Sequence, residues 1–394
     1  MSTPRKVVYL SGAPRVSTKP QAAIGGARTR VLGIIQGFSQ AGFVVETFIA
    51  GDHARDFVLR SDFDAKVKKN VFIRILSDLV RLAYACKNGI AVWMRFKRCP
   101  YAYEMLGLMQ FLGFFLKMSG TCWILETHAL LYKESFFARK ATFFWRLARF
   151  IEKKCYQKAD WIVTVTEETK NEVAEFSGVR RDKIVVVPNA VDRDLFHDGA
   201  HDGRRFFSQP TIGFVGVMYE WQGLDMLLRA VHELKRENTI FKVVLVGDGP
   251  EHDRLQELAA ELGLRNDVVF TGRIPPASVP RHIAGMDLCY SGQVSGTGGE
   301  TSRSPIKTYE YLAMKKPVLS SDFEDARMII RNGVNGYLFG SGVRGNLPDV
   351  LRIAFREREA WPAMGENGHR AVMAGHTWDA RVKRLLEGLG EKWS

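Results

Sequence analysis

Short apolar runs alternate with amphipathic helical patterns from one end of this chain to the other. In the first half the runs fall at 7–11, 44–49, 90–96, 121–126, 161–165 and 184–187. Helical periodicity fills 28–41, 101–118, 135–157 and 167–176. Apolar strands separated by helices of this length build parallel sheets covered on both faces, which predicts the α/β class. After Pro188-Asn189 the alternation stops, and residues 198–209 (DGAHDGRRFFSQ) are polar and aperiodic, as a linker is. It then restarts, with strands expected at 211–215, 242–246, 268–271, 287–290, 317–320 and 336–339 and helices at 224–236, 250–262 and 305–314.

The reading is therefore two Rossmann-like units, 1–197 and 210–375, joined by the linker 198–209. An amphipathic tail, 376–394, is expected to return to the first unit. A length of 394 residues agrees with two cores rather than one. Hydrophobic content of 46% excludes wholesale disorder, and a net charge of +13 asks for an anionic partner. The five cysteines form no CxxC pair, which suits a reducing compartment. The start, MSTPRK, runs directly into an apolar strand and carries no signal-peptide pattern. The apolar run at 105–116 is too short to span a bilayer. The expected location is the cytoplasm, either free or peripheral on the inner face of the plasma membrane.

Tandem units of this kind leave a cleft, and ligands of open α/β sheets sit beyond the carboxyl ends of the strands. The chemistry is therefore sought in loops that follow strands. Gly25-Gly26 precedes a helix, where backbone can approach an anion closely. Gly216, followed by Trp221-Gln222-Gly223, and Gly247 in Gly-Asp-Gly-Pro end two strands, and each could present N–H groups to a phosphate. The richest stretch is 298–310. There a loop of glycine and small polar residues, containing Glu300, Ser302 and Ser304, feeds a helix that carries Ile306, Lys307 and Glu310. An apolar run follows, which predicts partial burial of Lys307 and Glu310. His128 ends the run Leu125-Glu126-Thr127-His128 and is placed for acid–base or polar contact.

Taken together and in order, these stretches resemble the retaining glycosyltransferases of family 4, with the GT-B fold. GFVG…QGLDMLLRA, VVLVGDGPE, VVFTGRI and SPIKTYEYLAMKKPVLSS carry the likeness in the second half. The Gly25-Gly26 loop, ILETHALLYKES and VVVPNAVDRDLF carry it in the first. The resemblance implies an enzyme, a hexosyltransferase-like protein that uses a nucleotide sugar. It implies that Glu310, the second glutamate of E-x7-E, holds a ribose, and that Ile306 is that motif's interior apolar residue. Arg273-Ile274 would flank the nucleobase, Gly25-Gly26 would approach the donor phosphates, and His128 would lie near the donor sugar.

Three positions depart from the family pattern. The first glutamate of E-x7-E falls on Ser302, with Glu300 nearby, and the usual phosphate-binding arginine and lysine fall on Val217 and Gln222. Lys307, Arg303 or Arg28 could take over that charge. The pattern Asp192-Arg193-Asp194 sits near the unit junction and is discounted as a metal site, and the histidines lack ligand spacing. The expectation is metal-independent, retaining transfer to a glycan, lipid-linked or natural-product acceptor, with no cofactor. The alternative is a GT-B protein that binds nucleotide or glycan without turnover, or couples a non-glycosidic bond.

The stretch 133–158 holds eight basic residues and two acidic ones. As one helix it would place Phe144, Leu147, Ala148, Ile151 and Cys155 on a single face, opposite Arg139, Arg146, Arg149 and Lys153. It is either a core helix with a solvated charged face or a basic surface for anionic lipid. Nucleic acid is not an expected partner, because no recognisable binding motif accompanies the charge.

Overall fold

The computed structural model describes residues 5–14, 16–19, 25–53, 71–138, 140–197, 205–294, 304–340 and 346–390. The chain divides into two compact units, Met1–Pro188 with Trp378–Ser394, and Asn189–Thr377. Asn189–His197, ahead of the expected linker, goes with the second unit for a physical reason. The Asn189 N–H donates to Ser304 Oγ at 3.0 Å, and Val191 bridges Thr377, its N–H reaching the His376 carbonyl at 3.0 Å. The linker residues 198–204 lie outside the described residues.

The first unit is built on a parallel sheet of order β2-β1-β3-β4-β5-β6. Its strands are β1 (Lys6–Ser11), β2 (Val44–Ile49), β3 (Tyr101–Met105), β4 (Cys122–Glu126), β5 (Trp161–Thr164) and β6 (Ile184–Val186). Its helices are α1 (Gly26–Gln40), α2 (Val71–Phe96), α3 (Leu112–Lys117), α4 (Trp145–Lys158) and α5 (Glu167–Ser177). Val7 to Leu10 are fully buried, as expected for a central strand covered on both faces. Local chemistry fixes the helix ends. Thr166 Oγ1 accepts from the Thr169 N–H at 3.1 Å to start α5, and Gly178, at φ +73°, ends it in the left-handed region.

The second unit repeats the plan, with sheet order β12-β11-β10-β7-β8-β9, all parallel. The strands are β7 (Thr211–Val215), β8 (Lys242–Val246), β9 (Val268–Gly272), β10 (Leu288–Ser291), β11 (Val318–Ser321) and β12 (Gly336–Phe339). Between and after them lie α6 (Leu224–Arg236), α7 (His252–Glu261), α8 (Val279–Ala284), α9 (Ile306–Ala313), α10 (Glu324–Ile329), α11 (Leu347–Arg356) and α12 (Trp361–Gly375). The first-built strand β7 lies beside β10, so the strand order reverses there. Beyond the carboxyl ends of β7 and β10 is the switch point where such sheets bind ligands.

The final helix, α13 (Trp378–Leu389), lies in the first unit against α1. Two glycines make room for it. A Cβ on Gly33 would stand 2.2 Å from the Trp378 ring, and one on Gly37 would stand 2.5 Å from Val382.

The sequence expectations need correction at two places. Residues 90–96 were expected as a strand and 101–118 as a helix, but 90–96 is the last part of α2, and 101–118 divides into β3 and α3. A short apolar run does not reveal its own period. The stretch 133–158 is not one helix. Leu131–Lys133 is helical and Glu134–Ala138 is a π-turn, with α4 starting at Trp145. The buried stripe of α4 is Ala148, Glu152, Cys155 and Tyr156, so Leu147 is exposed rather than on the core face. Arg139 lies outside the described residues. Among the described residues no helix is long and apolar enough to cross a membrane.

Candidate functional site

In the second unit the backbone turns sharply at the carboxyl ends of β7 and β8. Gly216 has φ +147° and Gly247 has φ +124°, conformations that disfavour any side chain. A Cβ on Gly247 would meet the Gly216 carbonyl oxygen at 2.1 Å, so the two turns touch. Their N–H groups are already engaged. Gly216 donates to Val246 at 2.9 Å and Gly247 donates to Gly272 at 3.0 Å. What these glycines supply is close approach of strand ends, not N–H groups directed outward.

Into this space comes Lys307 from the first turn of α9. Pro305 occupies the N-cap position just ahead of it, where its fixed φ costs nothing. The Lys307 ammonium donates to Gln222 Oε1 at 3.1 Å and lies 3.9 Å from the centre of the Phe214 ring. A Cβ on Gly216 would be 3.1 Å from the same nitrogen. Desolvation lowers the Lys307 ammonium to about 7, against the attraction of Glu310 one turn along. Desolvation likewise raises Glu310 to about 7, opposed by Lys307. A poorly solvated cation held by a neutral amide and an aromatic face is primed to take up an anion.

The remaining expected residues distribute around this point. Ser304 is buried, and its hydroxyl and carbonyl accept from Asn189, so it fastens the chain entering α9. Ile306 is partly exposed at the start of α9. Arg273, beyond β9, is exposed and pairs with Asp248, beyond β8, at 3.1 Å. Ile274 packs on the core beneath. Tyr290 of β10 is buried and donates to the Gly223 carbonyl at 2.9 Å, which holds the 220–223 turn and therefore Gln222. Glu300 and Ser302 lie outside the described residues, as does Arg303.

The first unit has its own ionic cluster. His128 follows β4 and shares Glu126 with Arg30. Glu126 Oε1 lies 2.7 Å from Arg30 Nε and 2.5 Å from His128 Nε2, and Tyr103 donates its hydroxyl to Oε2. Arg30 and Glu126 are fully buried, and Arg30 Nη2 also donates to the Val187 carbonyl at 2.9 Å. Burial would raise Glu126, but the Arg30 guanidinium and the His128 contact overcome it and lower the carboxyl to about 2. Glu126 therefore stays ionised and fixes the His128 ring through Nε2. Gly25 and Gly26 begin α1, with Gly25 extended and a side chain there meeting no neighbouring atom within 4 Å. The Arg28 guanidinium is engaged by backbone, donating to the Lys19 carbonyl at 3.0 Å.

Arg30, Tyr103 and Glu126 were not singled out from the sequence. Two signals were available. Arg30 interrupts the buried stripe of α1, at the spacing of Ile34 and Phe38, where an arginine needs an anion. Glu126 stands two residues before His128, the spacing that puts two side chains on one side of an extended chain.

Known proteins agree with this architecture. Residues 24–195 match the family model for Glycosyltransferase Family 4, and residues 209–350 match that for Glycosyl transferases group 1. A D-inositol 3-phosphate glycosyltransferase of Nocardia farcinica is 30% identical over 251 residues, 60% of this chain and 53% of that protein. A GDP-mannose-dependent alpha-(1-6)-phosphatidylinositol monomannoside mannosyltransferase of Mycolicibacterium smegmatis is 27% identical over 252 residues, 61% of this chain and 65% of that one. The match thus spans between half and two thirds of these relatives' lengths. Among solved structures, Anabaena HepE in complex with UDP superposes with a TM-score of 0.68 at 16% identity, covering 98% of this chain and 99% of the other. The two parallel six-stranded sheets are those of the GT-B fold, and the chain belongs to glycosyltransferase family 4, of the group 1 type.

Proposed function

We propose that this chain transfers a sugar from a nucleotide-sugar donor to a glycan, lipid-linked or natural-product acceptor, with retention of configuration and without a metal ion. The observation that carries this reading is the Lys307 ammonium at the switch point of the second sheet, held by Gln222 and Phe214. Departure of a nucleoside diphosphate places new negative charge on its phosphate oxygens. A fixed cation there lowers the barrier because it is in place before the charge develops. The family's usual cations are replaced by Val217 and Gln222, and Lys307 supplies the charge from another element, with Gln222 orienting it. Glu310 is assigned to the ribose, Arg273 and Ile274 to the nucleobase. In the first unit His128 is assigned to the donor sugar and Gly25-Gly26 to phosphate. The leaving phosphate itself assists the acceptor hydroxyl.

Relatives support a phosphorylated or lipid-linked acceptor class, since one is named for inositol phosphate and another for a phosphatidylinositol mannoside. HepE was solved with UDP, which makes uridine nucleotides the first donors to test. The experiment is a thermal-shift panel of nucleotide sugars, followed by donor turnover in EDTA with product anomer assignment by NMR. Turnover that requires a divalent ion, or an inverted product, overturns the mechanism. Nucleotide binding with no turnover on any acceptor supports the non-catalytic alternative instead.

A further inference from the structure

Helix α2 has an outward face of unusual composition. Its inner side, Asp78, Ala85, Gly89, Val92 and Phe96, is buried. Gly89 lets the Phe115 ring approach to where a Cβ would stand 2.2 Å from it. On the opposite side Leu76, Val80, Ala83, Lys87, Ile90 and Met94 recur at helical spacing as one stripe. Leu76 and Met94 are each 62% exposed and Ile90 is 50% exposed. At 1.5 Å per residue this stripe runs for about 27 Å. Apolar surface of that extent is not usual on a free protein face and marks a site of contact.

The charges say what the contact is. From residue 71 to residue 98 the chain carries Arg74, Arg81, Lys87, Arg95, Lys97 and Arg98 and one acid, Asp78. That acid is buried. It pairs with Arg81 at 2.5 Å and accepts from Thr142 Oγ1 and the N–H groups of Phe143 and Phe144. The exposed side of α2 is thus apolar and cationic, and among the described residues of this helix no acid faces outward. A second copy of this chain would set like charges against each other, whereas an anionic lipid surface is complementary. At the carboxyl end, Trp93 donates its indole N–H to Ser119 Oγ at 2.7 Å, with Lys97 over its ring and Met118, 73% exposed, close in sequence. An aromatic ring with one polar edge and a neighbouring cation suits a lipid–water boundary.

We propose that this face of α2 lies in the interface of an anionic phospholipid bilayer, parallel to its plane. On its buried side, Asp78 ties α2 to residues 142–144, just ahead of α4, which fixes the helix in the first unit. The contact does not rest on the transfer reaction, because vesicle association needs neither donor nor turnover.

The test is flotation of the full chain with vesicles of phosphatidylcholine alone and of phosphatidylcholine with phosphatidylglycerol. Wild type should float with the anionic vesicles and remain mostly free with the neutral ones. Ile90→Glu with Met94→Glu should lower the partition coefficient about tenfold or more, since each removes an apolar group from the interface. Lys87→Glu with Lys97→Glu and Arg98→Glu should abolish the anionic preference. All five positions are exposed, and circular dichroism checks that the variants stay folded. Absence of wild-type binding, or unchanged binding of the Ile90/Met94 variant, overturns the proposal. So does a dimer in light scattering that dissociates on Met94→Glu without vesicle binding, which gives the face to a second copy.

Discussion

Lys307 donates its ammonium to Gln222 Oε1 at 3.1 Å, across 85 residues of sequence. On the proposed function, Gln222 takes the position where the family resemblance implies a phosphate-binding cation, and its amide orients Lys307 instead. Lys307→Ala should weaken nucleoside diphosphate binding by about tenfold to a hundredfold, since hydrogen bonds to charged groups contribute about 1.5–3 kcal/mol. Gln222→Ala should produce a smaller loss. Calorimetric titration with UDP and GDP measures both, and equal affinities in wild type and Lys307→Ala would remove Lys307 from the site. Because the ammonium is the binding form and is lowered to about 7 in the free protein, affinity should decline as pH rises above about 7.

The Arg30–Glu126 pair makes a prediction about stability. Glu126→Gln leaves Arg30 buried without its anion and should cost about 3–5 kcal/mol. Arg30→Met combined with Glu126→Gln should recover part of that loss. The Glu126 carboxyl is lowered from 4.5 to about 2. Its contribution is complete above about 4.5 and disappears as pH falls toward about 2. Urea unfolding of wild type and Glu126→Gln across that range should converge at the acid end, and parallel curves would refute the assignment.

Two other buried carboxylates act in the opposite sense. Glu104 accepts from the N–H groups of Leu112 and Gly113 at the start of α3, and Glu152 accepts from those of Leu131 and Tyr132. Desolvation raises both to about 7 despite these bonds. The folded chain then keeps protons that the unfolded chain has released between about 4.5 and 7, so stability falls as pH rises through that window. Replacing both by glutamine keeps an oxygen for the N–H groups and should flatten the decline, as measured by thermal unfolding at pH 5, 6 and 7. An unchanged slope would show that these carboxylates titrate elsewhere.

Gly33→Ala tests the packing of α13 on α1. Helix propensity alone would favour alanine by up to about 1 kcal/mol. The new methyl would lie 2.2 Å from the Trp378 ring, and overpacking should instead destabilise the chain by about 1–3 kcal/mol. A rise in melting temperature would show that Trp378 moves aside.

The sequence by itself determined the α/β class, both sheets' strand positions in most cases, and the glycine turns that end β7 and β8. Runs such as VVYL and VVLV are apolar at every residue because strands inside a doubly wound sheet are covered on both faces. Glycines at strand ends were legible because only they adopt the backbone angles found at Gly216 and Gly247. The run IAVWMRF was misleading for the same reason that VVYL was clear. Seven apolar-rich residues fit a strand or the end of a helix equally well, and only the preceding turns of α2 decide. The tertiary structure alone decided the pairs. Arg30 meets Glu126 across 96 residues and Lys307 meets Gln222 across 85. Such contacts follow from strand order and register, which bring distant loops to one edge of a sheet and which no local pattern encodes. The same holds for the outward face of α2, whose last turns read as a strand in the sequence: only packing against Phe115 and the Asp78 bonds shows which side is left to solvent.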